Sequence, residues 1–314
     1  MSAHHDHRHH HDAGDRRMLW AVVVNVALTV AQIVGGLLAG SLSLIADALH
    51  NFSDAIALVI AFAARRIARR PSDASMTFGY VRAEAVAALI NYTTLIIVGL
   101  YLVYEAILRF FAPEPVAGWT IVIIATIALV VDLVTAGLTY ALSKESMNIR
   151  AAFLHNVADA LGSVAVIVAG SLIILKGWHI VDPIATILIA GYILWMAFSE
   201  IGGAIRLLML GTPADVDVGA LIAAMESADG VHGVHHVHVW QIDENATALE
   251  AHVVLARDYE AEPLKRRLKE LLRTRFGIAH ATLEFEAPDA CCDGQDATVI
   301  GHTIATTRAQ AHTH

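Results

Sequence analysis

The chain has 314 residues, of which 56% are hydrophobic and 16% are charged, whereas soluble domains average roughly 45–50% and 25%. This composition excludes an ordinary soluble protein, because the apolar residues form separate runs about as long as a bilayer is thick. The formal net charge of −9 argues against nucleic-acid binding, which relies on basic side chains to neutralise phosphates. It favours cations as partners instead.

Six apolar runs predict six transmembrane helices, each about the 20 residues that the hydrocarbon layer requires. The runs extend over residues 18–40, 43–64, 81–104, 119–141, 151–175 and 181–207. The segment RRIARRPSDASMTFGYVR, which joins the second and third runs, carries five arginines, which the positive-inside rule places in the cytoplasm. Both termini are then predicted to be cytoplasmic, in agreement with an even number of spans.

The polar parts of the chain predict three further regions around a transmembrane domain of residues 17–210. Residues 1–16 include six of the 18 histidines and are interpreted as a His-rich tail that captures metal. Residues 211–288 have the pattern α-β-β-α-β, which predicts an α+β domain with a small sheet covered by helices on one face. Residues 289–314 form a polar tail that is expected to be disordered.

Two membrane helices carry the same pattern of ionisable residues. The second span contains His50 and Asp54, and the fifth contains His155 and Asp159. The i, i+4 spacing places each pair on one helix face. Charged or titratable side chains inside a membrane are costly and usually mark an ion pathway. If the two faces meet, two imidazoles and two carboxylates converge, a set that suits tetrahedral Zn²⁺. For one pair alone, helix packing explains the residues equally well.

Three further polar residues of the spans are candidates for supporting roles. Asp47 lies one turn before His50 and is expected to orient that imidazole or to relay protons, although a helix-packing role is nearly as well supported. Asp132 in the fourth span and Asn25 in the first span are weaker candidates of the same kind. Asp132 is expected to face a polar cavity, because lipid would penalise it.

The chain resembles the cation diffusion facilitator family, particularly its bacterial zinc-transporting branch. The resemblance is carried by five segments: SLSLIADALHNFSD, TFGYVRAEAVAALIN, LHNVADALGSVAVI, GVHHVHVWQI and HATLEFE. It implies a homodimer in the inner membrane with six spans and a ferredoxin-like cytoplasmic domain, which exchanges divalent metal for protons by alternating access. The transport ligands implied are His50, Asp54, His155 and Asp159, and the HxxxD form of the second span is the version associated with zinc preference.

The chain departs from the family pattern in the loop between spans two and three. Some relatives hold a second metal there with one Asp and two His. At the matching positions this chain has Asp73, Met76 and Tyr80. One carboxylate cannot form such a site, so no metal is expected in this loop.

The predicted cytoplasmic domain retains ligand-type residues. The resemblance implies metal binding by a subset of His235, His252, His280 and Glu286, whereas His232 and His236 are interpreted as solvated strand histidines. Strand alternation places His236 and His238 on one face and His235 on the other, with Val237 and Val239. The adjacent cysteines, Cys291 and Cys292, are either zinc ligands or a surface thiol pair, and these alternatives are equally supported.

The predicted function is proton-coupled efflux of divalent cations, chiefly Zn²⁺, with a zinc-responsive cytoplasmic domain. Zinc is the transported substrate and a regulatory ligand, and the partners are protons, the lipid bilayer and a second copy of the chain. An intramembrane zinc hydrolase is disfavoured, because no HExxH motif occurs and four protein ligands would close the coordination shell. A membrane-bound metal sensor without transport has the same ligands and is the alternative.

Overall fold

The computed structural model describes residues 26–140, 147–243, 246–257, 259–287 and 298–301. The apolar runs form helices α1 (Val26–Ala39), α2 (Leu42–Ala68), α3 (Ala83–Phe111), α4 (Gly118–Tyr140), α5 (Met147–Lys176) and α6 (Val181–Leu208). In the described part of the chain, five helices, α2 to α6, are long and apolar enough to cross a membrane. The residues before Val26, where the first predicted span begins, lie outside that part.

The chain divides into two compact units, one of residues 1–63 and 87–201 and the other of residues 64–86 and 202–314. The first unit has a core of aliphatic side chains that are fully buried, among them Leu44, Ile121 and Ile193. Its surface exposes many large apolar side chains, such as Leu38 at 80%. A soluble protein does not expose apolar surface on this scale, whereas lipid solvates it readily.

The start of α2 is fixed by a buried carboxylate from α6. Asp182, in the first turn of α6, accepts hydrogen bonds from Ser41 Oγ at 2.5 Å, Leu42 N at 2.8 Å and Ser43 Oγ at 2.6 Å. The first N–H groups of a helix have no partner within the helix, and a negative charge at that end is stabilising. Asp182 therefore caps the helix that carries His50 and Asp54.

The C-terminal domain confirms the predicted α-β-β-α-β order. Its elements are α7 (Val218–Glu226), β1 (Val231–Gln241), β2 (Thr247–Leu255), α8 (Ala261–Phe276) and β3 (His280–Glu286). The sheet has the order β1-β2-β3, in which β1 and β2 are antiparallel and β2 and β3 are parallel. Leucines of both helices, including Leu221 and Leu264, are fully buried in one core with Leu249 of the sheet.

A bulge in β1 overturns the side-chain alternation expected from the sequence. His235 pairs with His252 and His238 pairs with Glu250. Between these two pairs, β1 therefore has two residues where β2 has only one. One extra residue is therefore inserted, and His236 adopts a φ of 52°. As a result His235 lies on the same face as His252, and Val237 and Val239 pack in the core on the other face.

The loop between α2 and α3 is organised by hydrogen bonds to Asp73. Its Oδ1 accepts from Ser75 N at 2.8 Å, from Ser75 Oγ at 2.6 Å and from Met76 N at 3.0 Å, and its Oδ2 accepts from Tyr80 O–H at 2.8 Å. These donors, from Ser75 first, lower the pKa of Asp73 well below its usual range. The carboxylate of Asp73, the residue at the position of a metal ligand in some relatives, thus stabilises the conformation of the loop by hydrogen bonds.

Asp73→Asn is expected to loosen this loop, because an amide cannot accept all four hydrogen bonds. Limited trypsin digestion of inside-out vesicles should cleave after Arg69 several-fold faster than in the wild type. A folded-state pKa below the unfolded value, about 3.9 for Asp, contributes its full stabilisation only above that unfolded value. The protection of the wild-type loop should therefore fade as the pH falls below about 4, where a protease that is active in acid, such as pepsin, has to replace trypsin.

The matched control is Ser72→Ala, an exposed change in the same loop that should leave the cleavage rate unchanged. Added zinc should not slow cleavage of the wild type. Protection by zinc would show instead that the loop binds metal.

Candidate metal sites

Helices α2 and α5 bring two carboxylates close to one imidazole nitrogen inside the first unit. His50 Nε2 lies 3.2 Å from Asp159 Oδ1 and 3.7 Å from Asp54 Oδ2. Ligand atoms of these three residues lie within 4.8 Å of one another. The side chains of His50 and Asp159 are only 6% and 10% exposed. The structure therefore brings together three of the four residues expected for the transport site.

The fourth expected ligand, His155, precedes Asp159 by one turn on α5. Its side chain lies outside the described part of the structure. Two ionised carboxylates beside one buried neutral imidazole make a site of net negative charge, which a divalent cation neutralises and a proton on the imidazole halves. The arrangement is thus suited to exchange one kind of cation for another.

A cavity of ≈ 230 Å³ borders these ligands and is lined by α2, α5 and α6. His50, Asp159 and Asp47 contribute its acidic and imidazole groups, and Tyr192 of α6 contributes a phenol. The ring of Tyr192 stands edge-on to that of His50, with centroids 6.2 Å apart. The sequence analysis did not select Tyr192; the signal that could have found it is that it is the single tyrosine of α6 and lies in the apolar middle part of that helix.

A polar network extends behind His50. Gln32 of α1 donates from Nε2 to Asp47 Oδ2 at 2.7 Å, and Asn51 Nδ2 donates to Gln32 Oε1 at 3.3 Å. On α5, Gly162 has no side chain, and a Cβ there would stand 3.2 Å from Asp47 Oδ1. This glycine permits the close approach of α5 to α2. Gln32 is a second residue that the sequence analysis missed.

Two other residues, Asp132 and Asn25, were expected to support the site. Asp132 of α4 is buried and accepts a hydrogen bond from Ser163 Oγ at 3.0 Å. It therefore contacts α5, as expected for a residue that avoids lipid. Asn25 lies outside the described residues.

In the C-terminal domain, Glu286 of β3 bridges two imidazoles on the open face of the sheet. Glu286 Oε1 lies 2.6 Å from His252 Nδ1, and Oε2 lies 3.2 Å from His235 Nε2. The ligand atoms of these three residues lie within 4.8 Å of one another. Two imidazoles and one carboxylate form a ligand set for zinc with a fourth position to fill.

The remaining expected ligands of this domain do not join that group. His280 is exposed at the start of β3, six residues before Glu286, and a strand of that length spans about 20 Å. Cys291 and Cys292 lie outside the described residues. His232 is exposed as expected, but His236 is buried, so its interpretation as a solvated histidine was wrong.

Comparison with known proteins identifies the family. Residues 18–209 match the model of the cation efflux transmembrane domain, and residues 213–288 match that of the cation efflux protein cytoplasmic domain. The chain belongs to the cation efflux, or cation diffusion facilitator, family. This cation efflux protein is therefore a multi-pass membrane transporter with a cytoplasmic dimerisation domain, and not an enzyme.

Relatives of this cation efflux protein are similar along most of its length. It is 39% identical over 285 residues to the zinc transporter ZitB of Pectobacterium atrosepticum, covering 90% of this chain and 88% of that protein. It is 36% identical to the cadmium, cobalt and zinc/H(+)-K(+) antiporter of Bacillus subtilis, covering 89% and 91%. It is 35% identical to the metal cation efflux system protein CzcD of Cupriavidus metallidurans, covering 93% and 92%. The shared function is metal cation efflux.

Proposed function

We propose that this protein exports Zn²⁺ from the cytoplasm in exchange for protons, by alternating access of one site within the membrane. The main support for the proposal is the position of His50 Nε2, which lies close to the carboxylates of both Asp54 and Asp159 beside a cavity. The names of its relatives, a zinc transporter and an antiporter that uses H⁺, support both the substrate and the coupling.

The donor atoms favour zinc over harder cations. His50 supplies nitrogen and the two aspartates supply oxygen, and His155, one turn from Asp159 on α5, supplies the second nitrogen. Calcium and magnesium prefer shells made of oxygen alone, whereas imidazole and carboxylate together suit Zn²⁺ in tetrahedral geometry. We therefore assign the transport site to His50, Asp54, His155 and Asp159.

Coupling follows from competition for these ligands. Zinc binding needs neutral imidazoles and ionised carboxylates, so protons arriving from outside displace the metal. The protonated site then reopens to the cytoplasm, loses its protons at the higher pH there and binds zinc again. Asp47, held by Gln32, keeps the imidazole oriented or passes protons to it, and Asp132 and Asn25 complete this supporting set.

The cytoplasmic domain responds to zinc in this proposal. His235, His252 and Glu286 bind the metal, and Cys291 and Cys292 of the tail add ligands. The bound zinc holds the cytoplasmic domains of a homodimer together, so that transport follows the cytoplasmic metal level. His280, remote from this group within one chain, remains a candidate ligand only across the dimer.

The topology in this proposal places both termini in the cytoplasm and the protein in the inner membrane. Arg65, Arg66, Arg69, Arg70 and Arg82 lie in or beside the loop between α2 and α3, where the positive-inside rule assigns them to the cytoplasm. The same side then holds residues 1–16, the His-rich tail, where it gathers metal for the transport site.

Flux measured in proteoliposomes tests this function. Radioactive zinc should accumulate when an outward proton gradient is imposed, and nigericin, which collapses the gradient in potassium buffer, should stop the accumulation. Competing Cd²⁺, Co²⁺, Ni²⁺ and Mn²⁺ should inhibit less than unlabelled Zn²⁺ does. Zinc that binds without moving would favour a sensor, and flux that is insensitive to the gradient would contradict proton coupling.

A further inference from the structure

We propose that residues 298–301 act as a strap that holds the bulge in β1 and thereby keeps His235 in the zinc group of the cytoplasmic domain. That group consists of His235, His252 and Glu286, and the proposal rests on the proposed function in taking it as a zinc site. The support comes from the hydrogen bonds of the strap, from the backbone conformation of His236, and from the register of β1 against β2.

The strap pairs with the edge of β1 that faces away from β2. His236 N donates to Thr298 O at 2.9 Å, and Val237 N donates to Val299 O at 3.1 Å. In return, Gly301 N donates to Val237 O at 3.2 Å. Consecutive N–H groups of a regular strand alternate between its two edges. Because both N–H groups point to one edge here, the strap fits the bulged form of β1 and not the regular form.

The bulge has an unfavourable backbone conformation that needs such support. His236 has a φ of 52°, in the left-handed region that side chains with a Cβ rarely adopt. The register of β1 against β2 skips both His236 and Val237, so without the strap their N–H groups would have no partner in the sheet. A regular strand would then be the more favourable conformation. The three hydrogen bonds of the strap favour the bulge instead.

Loss of the bulge would move His235 to the other face of the sheet. The two halves of β1 on either side of the bulge differ in register by one residue. In a regular strand one half has to shift, and each of its side chains then changes face. A shift of the second half would take two buried valines, Val237 and Val239, out of the core, whereas a shift of the first half takes out one, Val234. The first half is therefore the half that gives way, and it carries His235.

The zinc group depends on the position of His235. Its Nε2 lies 3.2 Å from Glu286 Oε2, and its side chain is only 9% exposed, so the strand fixes where the imidazole points. The other two ligands, His252 and Glu286, lie on β2 and β3, which pair without a bulge. Zinc in proteins normally has three or four protein ligands, so an ion held by these two alone is bound weakly. The strap thus sets the zinc affinity of the group without contributing a side chain to it.

A pair of truncated chains tests the strap. One ends after Ala297 and lacks the strap, and its matched control ends after Gly301 and keeps it. Both carry Asp54→Ala and Asp159→Ala, which remove the carboxylates of the transport site. Zinc binding in detergent is measured by competition with a chelator, and the ion that Glu286→Gln removes is the one compared. Its affinity should be about 10-fold or more lower in the shorter chain, because loss of groups that position metal ligands typically costs about 10–100-fold.

A point variant of the full-length chain tests the same contact without truncation. Gly301→Pro should lower the affinity for this ion in the same direction as the truncation does. Proline has no N–H to donate to Val237 O, and its ring excludes the φ of 68° that Gly301 has.

Hydrogen exchange is the second measurement and needs no zinc. Peptides that cover His236 and Val237 should exchange faster in the shorter chain than in its control. Peptides of α7 and α8 should exchange equally in both, which shows that the domain stays folded. Equal zinc affinity of the two chains refutes the proposal and leaves the zinc group standing. If Glu286→Gln removes no ion from the full-length chain, the zinc group of the proposed function fails, and the role of the strap in zinc binding fails with it.

Discussion

Asp159→Asn is expected to abolish zinc transport while the protein remains folded. The asparagine side chain has nearly the same shape, so the packing of α5 against α2 is kept. It has no negative charge, however, and Asp159 is the carboxylate nearest to His50, at 3.2 Å. Loss of groups that merely orient metal ligands costs 10–100-fold in affinity or activity, so loss of a ligand should lower the initial rate by more than about 100-fold.

The measurement is gradient-driven zinc uptake into proteoliposomes at matched protein density. Asp54→Asn should behave in the same way, because Asp54 Oδ2 lies 3.7 Å from the same imidazole nitrogen, Nε2. The matched control is Asp215→Asn, an equivalent loss of charge at an exposed position, which should transport normally. Near-normal uptake by Asp159→Asn would remove Asp159 from the proposed transport site, and α5 would then supply no carboxylate to it.

The residues of this predicted site could be selected from the sequence because their pattern is duplicated. His50 and Asp54 repeat as His155 and Asp159 with the same spacing, and helical periodicity alone puts each pair on one face. Membrane insertion then supplies the second constraint, since such residues avoid lipid and turn inward. The structure brings ligand atoms of His50, Asp54 and Asp159 within 4.8 Å of one another.

Side chains that support the site have no comparable pattern. Gln32 and Tyr192 belong to no repeated motif on α1 and α6, and their contacts with Asp47 and His50 depend on how the helices rotate in the bundle. Helix rotation is set by packing of many apolar side chains, and a hydropathy profile does not record it. Gly162 is similar: its importance comes from the neighbouring Asp47 and not from its own helix.

The C-terminal domain shows the limit of strand periodicity. The order of its elements was predictable, but the assignment of faces in β1 failed at a single inserted residue. A bulge shifts every later side chain relative to the partner strand, and the bulge at His236 depends on residues 298–301, some sixty positions away. Local alternation cannot contain information about a pairing at that distance.

Asp182→Ala is expected to destabilise the membrane unit by about 3 kcal/mol or more, since removing one partner of a buried charged hydrogen-bond group costs on that order. Asp182 is fully buried. Without it, the hydroxyls of Ser41 and Ser43 and the N–H of Leu42 lose their acceptor in a region where water is scarce. The start of α2 should fray, and His50, two turns further along, would lose its fixed position.

Thermal unfolding of the purified protein in detergent measures this loss of stability. The fraction of protein that remains monodisperse is recorded at each temperature. Asp182→Asn should fall between the alanine variant and the wild type, because its amide oxygen still accepts from one or two of the donors. The matched control is Glu114→Gln, a carboxylate near the same end of the bundle whose side chain is 65% exposed, where salt bridges contribute little. Equal midpoints for Asp182→Ala and Glu114→Gln would show that the cap does not hold α2. A lowered midpoint together with weakened zinc affinity would instead tie the start of α2 directly to the geometry of the transport site.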